Sequence, residues 1–250
     1  MVMSALSVKS NALVTKIVTR CPKQFPPTHK LLIYSDLDTG KPLAVMDSGH
    51  LNAMRTAAAT AAATKLLAPD NSSILAIIGA GKQGIAHVQA LRHVCQFKQV
   101  RVWSRNYQNA KDFANVHDCV PCETVEEAAM NADVIVTATY SKTPILAARW
   151  VKKGALVNCV GAVVEDWQEL DPDLMKMADV YVDTKEEALK GSGDIILSGV
   201  DIKGEVGELI LGNKTVDRNA TIVFKSMGMA VEDVACSKLI YDKSLTKPNL

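Results

Sequence analysis

The sequence has almost no net charge, with 28 lysines and arginines against 27 aspartates and glutamates. It has no basic stripe and no run of one sign. That removes the electrostatic footprint of a nucleic-acid binder and the composition of a charged tail. No apolar run is long enough to span a bilayer. The first residues, Met1 to Leu6, lack a basic region and a long apolar core, so they do not read as a secretory signal. Six cysteines are scattered through 250 residues, a length that can bury a core without staples. They read as reduced thiols of a cytosolic protein. Cys119 and Cys122 form a C-x-x-C, but there is no second pair for zinc and no thioredoxin-like helix start. The length allows one large domain or two small ones.

What is present is organised around Ser73 to Gly84. Five apolar residues, Ile74 to Ile78, lead into Gly79-Ala80-Gly81-Lys82-Gln83-Gly84, and Ile85 to Leu91 continues as a helix. In a Gly-x-Gly-x-x-Gly turn the first glycine lets the chain leave the strand sharply. The second lets a pyrophosphate approach the backbone, and the third lets helix and strand pack closely. The helix start offers unbonded N–H groups and a positive dipole end to phosphates. The stretch predicts a dinucleotide site.

Around it the chain changes character twice. Ala12 to Thr19 reads as a strand with Val14, Lys16 and Val18 on one face. Lys16 is then either a charge that protects an edge strand or a functional amine whose pKa is lowered by desolvation. A loop with three prolines spans Cys21 to Thr28, and His29 follows it. Lys30 to Tyr34 and Pro42 to Met46 read as a hairpin across the turn residues Asp36 to Gly40. Asp47 or Ser48 can cap an alanine-rich helix from about His50 to Leu67, stopped before Pro69. Arg55 in that helix is either a solvated surface charge or a clamp for an oxyanion.

From Ser72 strands and helices alternate. Strands are expected at Val100 to Trp103, near Cys119, and at Asp133 to Ala138, Ala155 to Val160 and Val180 to Val182. This is the rhythm of a doubly wound parallel α/β sheet, a Rossmann-type domain whose ligand crevice lies at the carboxyl ends of the strands. Thr139, Tyr140, Val160 and Gly161 fall at its rim. Gly191 to Asp194 reads as a loop, Glu205 to Leu211 as a short helix and Thr221 to Phe224 as a strand. A last helix spans Ala230 to Tyr241, with Glu232 and Asp233 in its first turn. The expected division is a dinucleotide-binding domain at 71–194, inserted in a smaller α+β domain formed by 1–70 and 195–250.

The end of the second parallel strand selects the cofactor. An NAD site places an acid there for the ribose hydroxyls; here the chain reads Ser104-Arg105-Asn106. Arg105 suits a 2′-phosphate and Ser104 can donate to it, so NADPH is favoured over NADH.

Several segments taken together resemble the ornithine cyclodeaminase/μ-crystallin family. They are Thr15-Lys16-Ile17-Val18, Leu43 to Asp47, Arg55-Thr56-Ala57-Ala58, Ile78 to Gln83 and Val223 to Asp233. The resemblance covers essentially the whole chain. Asp166 to Asp171 and Ser226 to Ala235 resemble its ketimine reductase branch, whose members use NADPH and also bind thyroid hormone. It implies a homodimer, a cyclic ketimine carboxylate as substrate, Lys16 at the substrate and Arg55 at the substrate carboxylate or beside the cofactor. It implies His29 near the nicotinamide, Ser104, Arg105, Asn106 and Asn109 at the 2′-phosphate, and Thr139, Tyr140, Val160 and Ser226 on the nicotinamide side. The alternatives are a non-catalytic NADPH-gated binder of thyroid hormone or another small aromatic acid, an ornithine cyclodeaminase and an alanine-type dehydrogenase. Cyclodeaminases carry an aspartate in the loop after the fifth strand; Val163 falls near that place, which speaks against ornithine deamination. The reductase branch tends to read Ser-Arg-Pro where Val163-Val164-Glu165 stands. Family members are longer at the N-terminus, so the expectation is a chain that begins inside the catalytic domain, with an exposed strand edge.

Overall fold

A computed structural model describes residues 1–21 and 28–246. Residues 22–27, most of the expected proline loop, lie outside the described residues. The chain divides into two compact units, Met1–Thr56 with Gly228–Leu250, and Ala57–Met227.

The first unit opens with four antiparallel strands in the order β1-β2-β3-β4: β1 Val2–Ser7, β2 Ala12–Arg20, β3 Thr28–Asp36 and β4 Pro42–Asp47. β1 was not anticipated. It pairs with β2 from Val2↔Ile17 to Ser7↔Ala12, so β2 is an inner strand with no open edge along that length. The helix α1, Gly49–Leu67, follows. Of its two candidate caps, the Asp47 carboxylate accepts from the Gly49 N–H at 2.9 Å. Alanine dominates the helix because it loses no side-chain entropy there. Its first turns belong to the first unit, and from Ala57 it belongs to the second.

The second unit is an eight-stranded parallel sheet. Its elements are β5 Ile74–Ile78, α2 Lys82–Leu91, β6 Gln99–Trp103, α3 Tyr107–His117, β7 Val120–Cys122, α4 Val125–Ala129, β8 Val134–Thr137, β9 Leu156–Cys159, α5 Pro172–Met177, β10 Asp179–Val182, α6 Lys185–Gly191, α7 Gly193–Ser198, β11 Ile202–Glu205, α8 Val206–Ile210 and β12 Ile222–Lys225. The order is β11-β10-β12-β9-β8-β5-β6-β7. β8, β9 and β12 are buried throughout. Strands covered on both faces are uniformly apolar rather than alternating, as Val134 to Val136 are. One apolar cluster, including Leu75, Ile77, Val102, Val136 and Phe224, covers one face. A second, including Ile78, Ile135, Val157, Leu174 and Val182, covers the other. At about 1.5–3 kcal/mol per fully buried large apolar side chain, these two layers are the main source of stability of the unit.

Two expectations change here. β12 lies between β9 and β10, so residues 195–227 belong to the parallel sheet. The second unit therefore ends at Met227 rather than at 194, because the sheet needs β12 to cover the edges of both neighbours. Gly193 and Asp194 are not in a loop: they open α7, with Asp194 fully buried.

The last helix, α9 Ala230–Thr246, completes the first unit. Val234 joins Ala12, Val14, Leu32, Tyr34 and Leu51 in a small apolar core. Among the described residues no helix is long and apolar enough to cross a membrane, all six cysteines are free, and no cluster could hold a metal ion.

Candidate active site

In the second unit the strand register aligns one row of carboxyl ends: Trp103, Ile78, Thr137, Cys159, Lys225 and Val182. Every predicted cofactor residue of this unit follows a member of that row by a few positions or lies at the start of the next helix. The chain reverses direction across the sheet between β5 and β8, the topological switch where such folds bind ligands. The glycine turn leaves β5 at that point. Gly79 has φ +127°, and a Cβ there would lie 2.6 Å from the Ala138 carbonyl oxygen after β8. A Cβ on Gly84 would overlap the Gly79 carbonyl oxygen. A Cβ on Gly81 would meet nothing, so the space above it is open. Gly81 is the N-cap of α2 and supplies no side-chain cap, which leaves the first N–H groups for an outside acceptor. Beside this turn the Gln83 Oε1 is buried and finds no hydrogen-bond partner among the described residues. Open space and uncapped N–H donors suit a pyrophosphate at this turn.

His87 locks the first turn of α2. Its Nδ1 lies 2.7 Å from the Gln83 carbonyl oxygen and its Nε2 lies 3.1 Å from Thr60 Oγ1. A carbonyl only accepts, so Nδ1 carries the proton and Nε2 accepts from the hydroxyl. Burial pushes the His87 pKa down to about 4, and the ring is neutral at physiological pH.

At the end of β6, Arg105 is exposed, and no ion pair to a described residue holds it. Ser104 is partly buried beside it. Asn106 has a structural duty: it N-caps α3, its Oδ1 accepting from the Gln108 N–H at 3.0 Å. Asn109 is exposed on the first turn of α3. On the other side of the switch, Tyr140 is 85% exposed and Val160 is buried. Thr139 turns its hydroxyl to Glu169 at 2.6 Å. Ser226 is buried and donates to Asp183 at 3.4 Å. Thr139 and Ser226 thus shape the strand ends through bonds within the unit.

The first unit holds a different constellation. Lys16, on the inner strand β2, is 1% exposed. A surface gatekeeper role is excluded by its burial. Its Nζ donates to Asp233 Oδ2 at 2.6 Å and to Asn52 Oδ1 at 3.3 Å. Arg55, three residues along α1 from Asn52, donates from Nη2 to the same Asn52 oxygen at 3.0 Å. Its Nε donates to Asp233 at 3.2 Å and its Nη1 to Glu232 at 2.6 Å. A Cβ on Gly228 would stand 2.7 Å from Nη1, so the guanidinium needs glycine beneath it. Arg55 is therefore not a surface charge. Three of its five N–H donors engage partners among the described residues. Burial is the main influence that lowers the Lys16 pKa, and the Arg55 charge adds to it; Asp233 acts the other way. His29 is placed apart from this group. On β3 it pairs with Thr19 of β2 and is exposed, whereas Leu32 pairs with Lys16. Odd and even positions of a strand face opposite sides, so His29 lies on the face away from Lys16.

In the sequence Glu232 and Asp233 stand out only as acids in a first helical turn, complementing its dipole. Asn52 carries a single local signal, its spacing of one helical turn to Arg55.

A parallel sheet with a switch-point glycine cradle, joined to an antiparallel unit with two buried cations, defines a nicotinamide-dinucleotide oxidoreductase of two-unit design. The sequence pattern of the Ornithine cyclodeaminase/mu-crystallin family matches residues 1–248, and the chain belongs to that family. It is 47% identical over 247 residues to ketimine reductase mu-crystallin of Mus musculus, covering 96% of this chain and 79% of that protein. Its fold matches Δ1-pyrroline-2-carboxylate reductase of Thermococcus litoralis, solved in complex with NADH and L-proline. The TM-score is 0.89 at 31% identity, covering 98% of this chain and 86% of that one. It also matches an archaeal alanine dehydrogenase dimer with bound NAD, with a TM-score of 0.93 at 32% identity over 99% and 81% of the two chains.

Proposed function

We propose that this protein is an NADPH-dependent reductase of cyclic ketimine carboxylates. The observation that carries this reading is a likeness to a ketimine reductase that runs along nearly the whole of this chain, in a chain whose glycine cradle has the geometry a dinucleotide needs. The pyrophosphate is held by the open backbone at Gly81 and the uncapped start of α2. Arg105, exposed and unpaired among the described residues, binds the 2′-phosphate, and Ser104 donates beside it. Bound there, NADPH supplies a hydride for the carbon of a C=N bond. Arg55 binds the substrate carboxylate through its guanidinium, which fixes the substrate for reaction. Lys16, with its pKa lowered by burial, offsets charge at the carboxylate or gives a proton to the imine nitrogen. Hydride at carbon and proton at nitrogen leave a cyclic amine.

The outer face of the four-stranded sheet exposes Val2, Leu6, Leu31 and Val45, which supports a homodimer through that face. Free thiols support a reducing, cytosolic setting.

Loss of NADPH absorbance with piperideine-2-carboxylate tests the activity directly. Turnover is expected, and its absence in folded protein that binds NADPH would sink the reading. Thyroid hormone binding that requires NADPH, without turnover, would replace it with a carrier function. Arg105→Ala separates the cofactors: the NADPH Kd should rise at least tenfold and the NADH Kd stay within twofold, since only the former carries the phosphate. Equal effects on both would remove Arg105 from the phosphate pocket.

A further inference from the structure

Beneath the row of strand ends lies a second polar cluster, which the chemistry above does not use. Glu169, Asp194, Lys225 and Cys159 are all completely buried. Burying several ionisable groups together is costly unless each is fully hydrogen-bonded. Here each is. Glu169 Oε1 accepts from the Thr139 N–H at 2.7 Å and its hydroxyl at 2.6 Å. Oε2 accepts from Thr137 Oγ1 and from the Gly161 N–H, both at 2.9 Å. One carboxylate thus ties the loop after β8 to the loop after β9. The fit is tight: a Cβ on Gly161 would stand 2.6 Å from Glu169 and overlap the Thr139 carbonyl oxygen.

Lys225, at the end of β12, continues the stitching. Its Nζ donates to the carbonyls of Gly161 and, at 3.2 Å, Ala162, and to Asp194 at 3.1 Å. Asp194 in turn accepts the N–H groups of Glu169 at 2.8 Å and Leu170 at 3.0 Å. Burial opposes the charge on Lys225, but the Cys159 sulfur and the Asp194 and Glu169 carboxylates outweigh it and raise its pKa. The Glu169 carboxyl is raised by burial, with Lys225 and the Thr139 donors pulling it back. All four of its nitrogen and oxygen partners can donate to a carboxylate.

We infer that Glu169, backed by Lys225 and Asp194, is a positioning element that presets the loops after β8 and β9, one wall of the dinucleotide crevice. This rests on the NADPH reading above. A merely structural cluster would need only to be satisfied. This one spends its bonds on backbone groups of the two loops that carry the predicted cofactor residues Thr139 and Val160.

The test is Glu169→Gln, which keeps the shape but replaces one acceptor oxygen with a donor. That donor would face the Thr139 or the Gly161 N–H and release one loop. Two readouts apply, both well below the melting temperature of the variant. Amide exchange at Thr139 or Gly161 in the cofactor-free chain should accelerate at least tenfold, with Ile77 in β5 unchanged. The NADPH Kd, by fluorescence titration, should rise at least tenfold. Thr137→Val, which removes a single donor, should show the same pattern at about threefold; it carries the test if Glu169→Gln does not fold. An unchanged Kd overturns the inference, even with faster exchange or a lower melting temperature, since that is the behaviour of a structural group alone. Wild-type protein that binds NADPH but reduces no ketimine overturns the proposed reaction and leaves the Kd ratio to decide this inference. Wild-type protein that binds no NADPH overturns both.

Discussion

Lys16 Nζ and Asp233 Oδ2 meet at 2.6 Å across 217 positions of sequence, and both side chains are 1% exposed. The contact joins an inner strand to the first turn of the C-terminal helix, so the ends of the chain build one site. Removing one member of a buried pair strands the other charge, at about 3–5 kcal/mol. Asp233→Asn should therefore lose about 3 kcal/mol of stability at pH 7 by urea denaturation. It should also depress the Lys16 pKa further. A lysine whose folded pKa lies below its unfolded value of 10.5 binds fewer protons folded, so stability rises with pH in the window below 10.5. The penalty of the variant should shrink as pH rises from 7 toward 10.5. A constant penalty would mean that Lys16 is not the stranded charge.

Glu232 holds the Arg55 Nη1 at 2.6 Å with its side chain 12% exposed. It is a rival for the group assigned to the substrate carboxylate. Glu232→Gln should lower KM for a ketimine carboxylate about threefold and change kcat little, because a charged acceptor competes more strongly than a neutral one. Arg55→Lys, which keeps the charge and loses the fork, should reduce kcat/KM at least tenfold. A raised KM in Glu232→Gln would assign Glu232 to holding Arg55 in place instead.

The glycines of the cradle should separate folding from binding. Gly84→Ala forces a Cβ onto the Gly79 carbonyl and should cost about 3 kcal/mol by overpacking against backbone. Gly81→Ala meets open space at φ −96°, so its melting temperature should stay close to wild type while its NADPH Kd rises at least tenfold. Thermal melts and NADPH titration of the two variants check this; tight NADPH binding by Gly81→Ala would move the pyrophosphate elsewhere.

His87 should make the second unit sensitive to mild acid. Its pKa falls from 6.5 unfolded to about 4 folded. Between these values the unfolded chain binds a proton that the folded chain refuses, so stability is lost as pH drops from 6.5 toward 4, by about 1.4 kcal/mol per unit. Above 6.5 both states are neutral and the effect vanishes. The stability advantage of wild type over His87→Gln should shrink by about 2 kcal/mol from pH 7 to pH 5. An advantage that is flat with pH would show that the ring charges without unfolding.

Strand and helix types were legible wherever pattern was strong. The apolar run before Gly79 and the alanine-rich helix from Gly49 are local facts of composition. β1 and β11 escaped because their residues, Val2–Ser7 and Ile202–Glu205, mix polar and apolar types at sheet edges, where one side needs no cover. The place of β12 could not be read at all. Its four buried residues show that it is an inner strand, but not that its neighbours are β9 and β10.

The sequence by itself determined the dinucleotide turn, because spacing and residue chemistry carry it, and it offered Ser104-Arg105-Asn106 as the ground on which NADPH is proposed. It also marked Lys16 and Arg55 as charges that needed explaining. Only the tertiary structure decided what surrounds those charges. Asn52, Glu232 and Asp233 reach Arg55, and Asn52 and Asp233 reach Lys16, through the packing of α9 against the first sheet. Glu169, Asp194 and Lys225 meet only because β8, β9 and β12 lie side by side. Burial and pairing of charge depend on which segments meet in space, and long-range strand order is not encoded in local pattern.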